Sequence, residues 1–288
     1  MAETPLDFPP YCADCTANLH QATHVVFGVP FGKTTSFRPG AEQAPAAIRQ
    51  ASWNFETFDL RTQTDLTDGA FHDAGDLELT QCTTQEMIET VRSYTKSLLN
   101  TKKIPIALGG EHSITPGIVQ AYPKDIAVLV LDAHLDYRDS YDDDRNNHAC
   151  AVKRIADHLP VDHIAVIGVR SAEQDEYDQA LKDTLFYRDA YTIRKRTLAP
   201  ILNETLRYLG DTPLFLSMDI DVLDPAYAPA TSTPEPFGLT PFDLLDIIDR
   251  CAPHLIGADI VEVCPPYDHG QTALLAAKLL RILLQKIG

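Results

Sequence analysis

Apolar residues in this chain gather in short unbroken runs, separated by longer segments in which they recur every three or four positions. The runs His24–Val29, Ile104–Leu108, Ile126–Leu131, His163–Val169, Leu214–Met218 and Leu255–Val261 predict strands. The periodic segments Pro45–Trp53, Thr84–Asn100, Thr115–Ala121, Ala149–His158, Leu198–Leu209, Pro241–Cys251 and Thr272–Lys286 predict helices, most of them opening after Ser, Thr or Pro. Strand and helix alternate, as in a parallel sheet with crossover helices. Ile126–Leu131 is apolar at successive positions, which predicts cover on both faces of the strand. The expected fold is therefore α/β, a three-layer α/β/α sandwich around a mostly parallel sheet. No Pro/Gly/Ser-rich linker and no repeat at solenoid spacing interrupts the pattern, so residues 1–288 are expected to form one domain, with residues 1–23 as an N-terminal extension.

Charge narrows the partners. Lys and Arg number 24 against 41 Asp and Glu, a net charge of −17. Such a field repels phosphate backbones and anionic lipid, which argues against nucleic acid and membrane partners, and it concentrates metal ions and cationic small molecules. No apolar run approaches the roughly 18 to 20 residues that span a bilayer, and the first residues lack the basic and apolar segments of a signal peptide, so a cytoplasmic location is expected. Six cysteines mostly lie in apolar contexts, as reduced core residues do. Cys12 and Cys15 have redox or zinc-knuckle spacing but no second pair, and are expected to be ordinary parts of the N-terminal segment.

Chemistry-bearing residues cluster just past strand ends, where open α/β sheets form their ligand crevice. Asp132, His134 and Asp136 alternate after one strand, so in extended chain their side chains share one face. Asp219 and Asp221 repeat that spacing, and the pair Gly109 and Gly110 turns the chain sharply before Glu111 and His112. A lone Asp at such a place usually caps a helix, and a lone His is usually a satisfied core or surface group. Four carboxylates and two imidazoles converging from three strand ends would instead repel one another unless cations sit among them. Oxygen-rich ligands with two imidazoles and no thiolate fit Mn²⁺ better than structural zinc. Two bridging carboxylates would hold a pair of ions roughly 3.5 to 4 Å apart around a shared water.

The combination of Gly28-Val-Pro-Phe31, Arg38-Pro-Gly40, Gly109-Gly-Glu-His-Ser113, Asp132-Ala-His-Leu-Asp136, Ser217-Met-Asp-Ile-Asp221, Thr231-Ser-Thr-Pro234 and Glu262-Val263 resembles the ureohydrolases: arginases, agmatinases and related guanidino-hydrolases. The resemblance covers almost the whole chain. It implies an arginase-like sheet of about eight strands. It further implies two Mn²⁺ per subunit, one held by His112, Asp132, Asp136 and Asp219, the other by His134, Asp132, Asp219 and Asp221, with Asp132 and Asp219 bridging. The resemblance also assigns roles. Asp136 relays a proton from the nucleophile, His148 shuttles protons to solvent, Glu262 binds the guanidinium and Thr233 places a hydroxyl beside it. Trimers or hexamers are the assemblies it suggests. Where the family carries an Asp and glycines, this chain has Gly32, Lys33, Ala44, Ser232 and Phe237; none replaces a metal ligand.

A guanidinium carbon is a poor electrophile, so its attack requires water presented as hydroxide, which a metal pair makes available near neutral pH. The substrate's tail decides among agmatine, arginine and guanidinobutyrate. Between the metal strand and His148 lie Asp139, Asp142, Asp143 and Asp144 against Arg138 and Arg145, an acidic balance expected to face and favour a cationic tail. The expected reaction is hydrolysis of agmatine to putrescine and urea. The alternatives are an arginase, a guanidinobutyrase, or a metal-bound but inactive interaction protein, against which His148 and Glu262 argue. A related single-zinc deacetylase would use fewer carboxylates than Asp136, Asp219 and Asp221 provide.

Overall fold

Each apolar run predicted above becomes a strand, within one residue at either end, in the computed structural model, which describes residues 8–287. The strands are β1 (His24–Val29), β2 (Phe58–Asp59), β3 (Thr64–Asp65), β4 (Phe71–Asp76), β5 (Ile104–Gly109), β6 (Ala127–Leu131), β7 (Ile164–Val169), β8 (Phe186–Asp189), β9 (Leu214–Asp219) and β10 (Leu255–Val261). The helices are α1 (Ala44–Ser52), α2 (Thr84–Asn100), α3 (Thr115–Val119), α4 (Ala151–Ala156), α5 (Gln174–Lys182), α6 (Ala190–Arg196), α7 (Leu198–Leu209), α8 (Pro241–Cys251) and α9 (Gln271–Lys286). Eight strands form one sheet in the order β4-β1-β5-β10-β9-β6-β7-β8, every neighbour parallel, while β2 and β3 pair antiparallel apart from it.

The unbroken apolar runs follow from the layering. Leu129 and Leu131 of β6, with Leu216 and Met218 of β9, pack under α1, α7, α8 and α9. Val128, Val130 and Phe215 point the other way, beneath α2, α3 and α4. Successive residues of a strand thus meet different helical layers, and every one must be apolar. Local signals place the helices: Thr83 and Glu86 close a capping box at α2, and Thr240 and Asp243 do so at α8.

Differences from expectation lie at the periphery. The two outermost strands, β4 and β8, were not foreseen, nor were the short polar helices α5 and α6. The helix expected over 149–158 is a 3-10 turn at His148–Cys150 followed by α4, which ends at Ala156. Residues 12–17 lie along β4. The Cys12 amide donates to Asp73, Thr16 bridges to His72, and the Ala17 amide donates to the Phe71 carbonyl. Cys12 and Cys15 are buried free thiols, and the Cys15 side chain together with burial holds the Cys12 thiol well above its usual range. Among the described residues, no helix is long and apolar enough to cross a membrane.

Candidate metal centre

The sheet order places β5, β10, β9 and β6 side by side, so the segments leaving their carboxyl ends meet in one cleft. After β5 the chain must turn against Phe31. A Cβ on Gly110 would lie 1.9 Å from the Phe31 carbonyl oxygen, so only glycine fits. The turn buries Glu111, which accepts hydrogen bonds from the amide and hydroxyl of Thr34 (2.8 and 2.7 Å) and from Ser113 (2.7 Å). His112 follows, completely buried.

Its Nδ1 faces three carboxylates: Asp136 at 3.0 Å, Asp132 at 3.1 Å and Asp219 at 3.4 Å. His134 Nδ1 faces Asp221 at 3.0 Å and the other Asp132 oxygen at 3.5 Å. Asp132 thus offers one oxygen to each imidazole. Two sets of mutually close donors result, His112 with Asp132 and Asp136, and Asp132 with His134 and Asp221. Asp219 belongs to neither set, although it faces His112 and accepts the Asp221 amide at 2.8 Å. His112 Nδ1 and Asp132 Oδ2 are buried without a satisfied hydrogen bond, and orphaned donors of this chemistry fit a cation between them.

Further groups hold these donors in place. His112 Nε2 contacts the Ser217 hydroxyl at 3.2 Å, and Ser217 in turn donates to Asp259 at 2.7 Å. Thr115 donates to the other Asp259 oxygen at 2.8 Å, so a fully buried carboxylate aims the His112 ring. Asp136 and Glu262 adopt left-handed backbone, with φ of 47° and 64°, a strain seldom carried by side-chain-bearing residues.

Electrostatics reflect the crowding. Burial, and then the Asp132 charge, push the Asp136 carboxyl up to about 7. Burial, reinforced by Asp221 and Asp132, holds Asp219 well above its usual range, and burial raises Glu262 to about 7. Burial works against the charged imidazoles, yet neighbouring carboxylates hold His112 and His134 well above theirs. Asp132 moves down against the effect of burial, through its bonds to His112 and His134. Protons are retained where positive charge is wanted.

The expected substrate residues also reach the cleft, whose volume is about 320 Å³. Glu262 fixes one oxygen on the His112 amide at 2.7 Å and leaves the other buried and unpartnered. His148 lines the cleft, with Nδ1 3.1 Å from the Thr34 hydroxyl, which donates to Glu111. Thr233 is on the wall. Among the departures from the family pattern, Ser232 is buried beside Glu262, while Phe237 lies outside the cleft with φ of 69°, a conformation that glycine adopts more readily.

The acidic loop does not behave as expected. None of Asp139, Asp142, Asp143 and Asp144 lines the cleft. Asp142 and Asp143 occupy a left-handed turn that carries them outward, Asp144 accepts from Thr84, and Asp139 pairs with Arg145 and Arg154. The loop contributes Arg138 and Tyr141 instead, and the acidic residues of the outer wall are Glu176 and Glu235. Sequence reasoning missed both glutamates, although Glu235 directly follows the Thr-Ser-Thr-Pro segment. It also missed Arg170, which donates to six main-chain carbonyls, those of Gly168, Asp221, Val222, Leu223, Glu235 and Pro236, and so ties the Asp221 turn to the Glu235 loop.

Comparison with known proteins adds to this geometry. Residues 22–285 match the arginase family. An agmatinase of Bacillus cereus is 34% identical over 267 residues, 90% of each chain. The N(1)-aminopropylagmatine ureohydrolase of Thermococcus kodakarensis is 38% identical over 264 residues, 90% of this chain and 89% of its own. The solved agmatine ureohydrolase of Thermoplasma volcanium superposes with a TM-score of 0.92 at 38% identity, covering 98% of this chain and 95% of that one.

Proposed function

Because the chain belongs to the arginase family, and is thereby a hydrolase of guanidino compounds, we propose that it converts agmatine and water to putrescine and urea with two Mn²⁺ ions bound. The observation that carries this reading is the pair of imidazole–carboxylate sets sharing Asp132 beneath a cleft that also holds Glu262. In this reading His112, Asp132, Asp136 and Asp219 hold one ion, and His134, Asp132, Asp219 and Asp221 the other. The bound pair supplies a nucleophilic water near neutral pH.

The chain's own residues supply the rest. The Glu262 oxygen left unpartnered accepts guanidinium N–H groups. Its other oxygen, bound to the His112 amide, fixes the carboxylate relative to the metal side of the cleft. Asp136, which lines the cleft, is placed to relay the proton that the leaving amine must receive. His148 lies along the cleft wall against Thr34, which suits passing protons between solvent and the interior. Thr233 offers its hydroxyl to the guanidinium from the wall.

A carboxylate-tailed substrate is the competing reading, since Arg138 faces the cleft. Against it, Glu173 and Glu176 already engage that guanidinium. Urea release from agmatine, arginine and 4-guanidinobutyrate by Mn²⁺-loaded protein tests the proposal. Agmatine should be the best substrate; a preference for either carboxylate-bearing compound overturns the assignment.

A further inference from the structure

The outer part of the cleft contains an arginine whose charge is already spent and a glutamate whose charge is not. Arg138 places Nη1 3.1 Å from Glu173 and Nε 3.4 Å from Glu176, and its guanidinium lies 4.8 Å from the centre of the Tyr141 ring. Glu176 is buried and also accepts the Tyr137 amide at 2.8 Å, so this arginine has little freedom to turn toward a ligand. Glu235 comes from a different loop, the one leaving β9. Its main chain is anchored, because its carbonyl accepts an Arg170 Nη2–H at 2.7 Å and shares the Arg170 Nε–H with the Pro236 carbonyl (3.2 and 3.0 Å). No described cation pairs with its carboxylate, and the residue lines the same cleft as Glu262. Phe37, 66% exposed, and Tyr141 add aromatic faces to that wall.

We propose that Glu235 is the specificity-determining residue for the substrate's far end, accepting a terminal ammonium while Glu262 holds the guanidinium. This rests on the guanidino-hydrolase reading above and adds a residue to it. Two unpaired carboxylates in one cleft, one buried and one toward the mouth, complement a molecule cationic at both ends. A tail ending in carboxylate meets like charge at Glu235 and finds Arg138 occupied. Arg170 makes the discrimination firm by fixing the Glu235 backbone to the Asp221 turn.

The experiment compares Mn²⁺-loaded wild type and Glu235→Gln on agmatine and on 1-butylguanidine, which keeps the guanidinium and the methylene chain but lacks the ammonium. The ratio of kcat/KM for agmatine over butylguanidine should fall about tenfold in the variant, mainly through KM, because a charged hydrogen bond to the tail is made equally in ground and transition states. Glu235→Lys should go further and favour 4-guanidinobutyrate over agmatine. A wild type that releases no urea from agmatine removes both the proposed function and this inference. A wild type that does so, but whose Glu235→Gln form keeps the ratio or loses both substrates alike, removes only the inference, since an equal loss marks Glu235 as a loop-holding residue.

Discussion

Stripping metal from the protein with a chelator should make its stability fall as pH rises through neutrality, and the buried carboxyls fix both sign and size. Asp136 holds its proton up to about 7, against 3.8 for an ordinary aspartate, because burial and the Asp132 charge disfavour the anion. A group bound more tightly to its proton in the folded state contributes stability below its unfolded pKa and loses that contribution as pH climbs to the folded value. At 1.4 kcal/mol per decade, Asp136 alone costs the metal-free fold about 4 kcal/mol between roughly pH 4 and pH 7. Glu262, raised to about 7 by burial, acts in the same direction, as do His112 and His134, whose folded values lie above 6.5. For a chain of this size that is a drop in Tm of about 8 °C or more. Under the proposed ligand assignment Asp136, His112 and His134 must shed protons to bind metal, so the loaded protein should show the opposite slope. Thermal melts of chelated protein from about pH 4 to about pH 8, with Asp136→Asn as the flattened control, decide the matter. A chelated Tm that is flat or rises over that range, or an Asp136→Asn variant with the full slope, refutes the reasoning.

Asp132→Asn and Asp219→Asn should each lower metal content per chain, read by elemental analysis, and cut kcat/KM roughly a hundredfold or more; full activity in either sinks the ligand assignment. Asp259→Ala should weaken metal affinity about tenfold by freeing Ser217 and the His112 ring, measured by titration with Mn²⁺, and an unchanged affinity would deny Asp259 that role. The double variant Asp142→Asn/Asp143→Asn should keep the KM for agmatine within about twofold, because exposed charges outside the cleft contribute little; a larger rise would return the acidic loop to the substrate. Arg170→Lys cannot reproduce the planar fork across six carbonyls and should cost about 2 to 3 kcal/mol of stability in denaturant melts, whereas wild-type stability would leave the clamp without weight.

The centre of the fold was readable in the sequence because the central strands are covered on both faces and so are apolar at every position, as in Val128, Leu129, Val130 and Leu131. The outermost strands were not. The Phe71–Asp76 strand is half exposed and carries His72, Asp73 and Asp76, and Phe186–Asp189 is only partly buried throughout, so neither presents an apolar run. Helix α5 buries only Glu176 and Ala180, too little for a helical period to register. At the site, alternation after a strand end exposed Asp132, His134 and Asp136, because that spacing carries its own geometry. The acidic loop misled for the converse reason: a run of aspartates reports charge, and only left-handed turns at Asp142 and Asp143 decide which way the charge points. Asp259 did leave a signal, a carboxylate inside the otherwise apolar run Leu255–Val261, and a charge in such a strand calls for partners like Ser217 and Thr115.

A parallel sheet that does not close into a barrel ends in two edges, each a row of backbone groups on which another chain can template. On one side β8 limits the hazard by length, since it spans four residues and ion-pairs Arg188 with Glu204. On the other side β4 is longer, and the strip at residues 12–17 covers it: main-chain groups of Phe71 and His72 are bonded to Thr16 and Ala17, and Asp14 is tied beneath by Arg281 at 3.1 Å. The strip therefore contributes to solubility as well as to folding. Lifting it would leave the cleft, which begins at β5 and is separated from β4 by β1, with its residues in place while opening β4 to pairing between molecules, so damage there would show first as self-association and only later as lost catalysis.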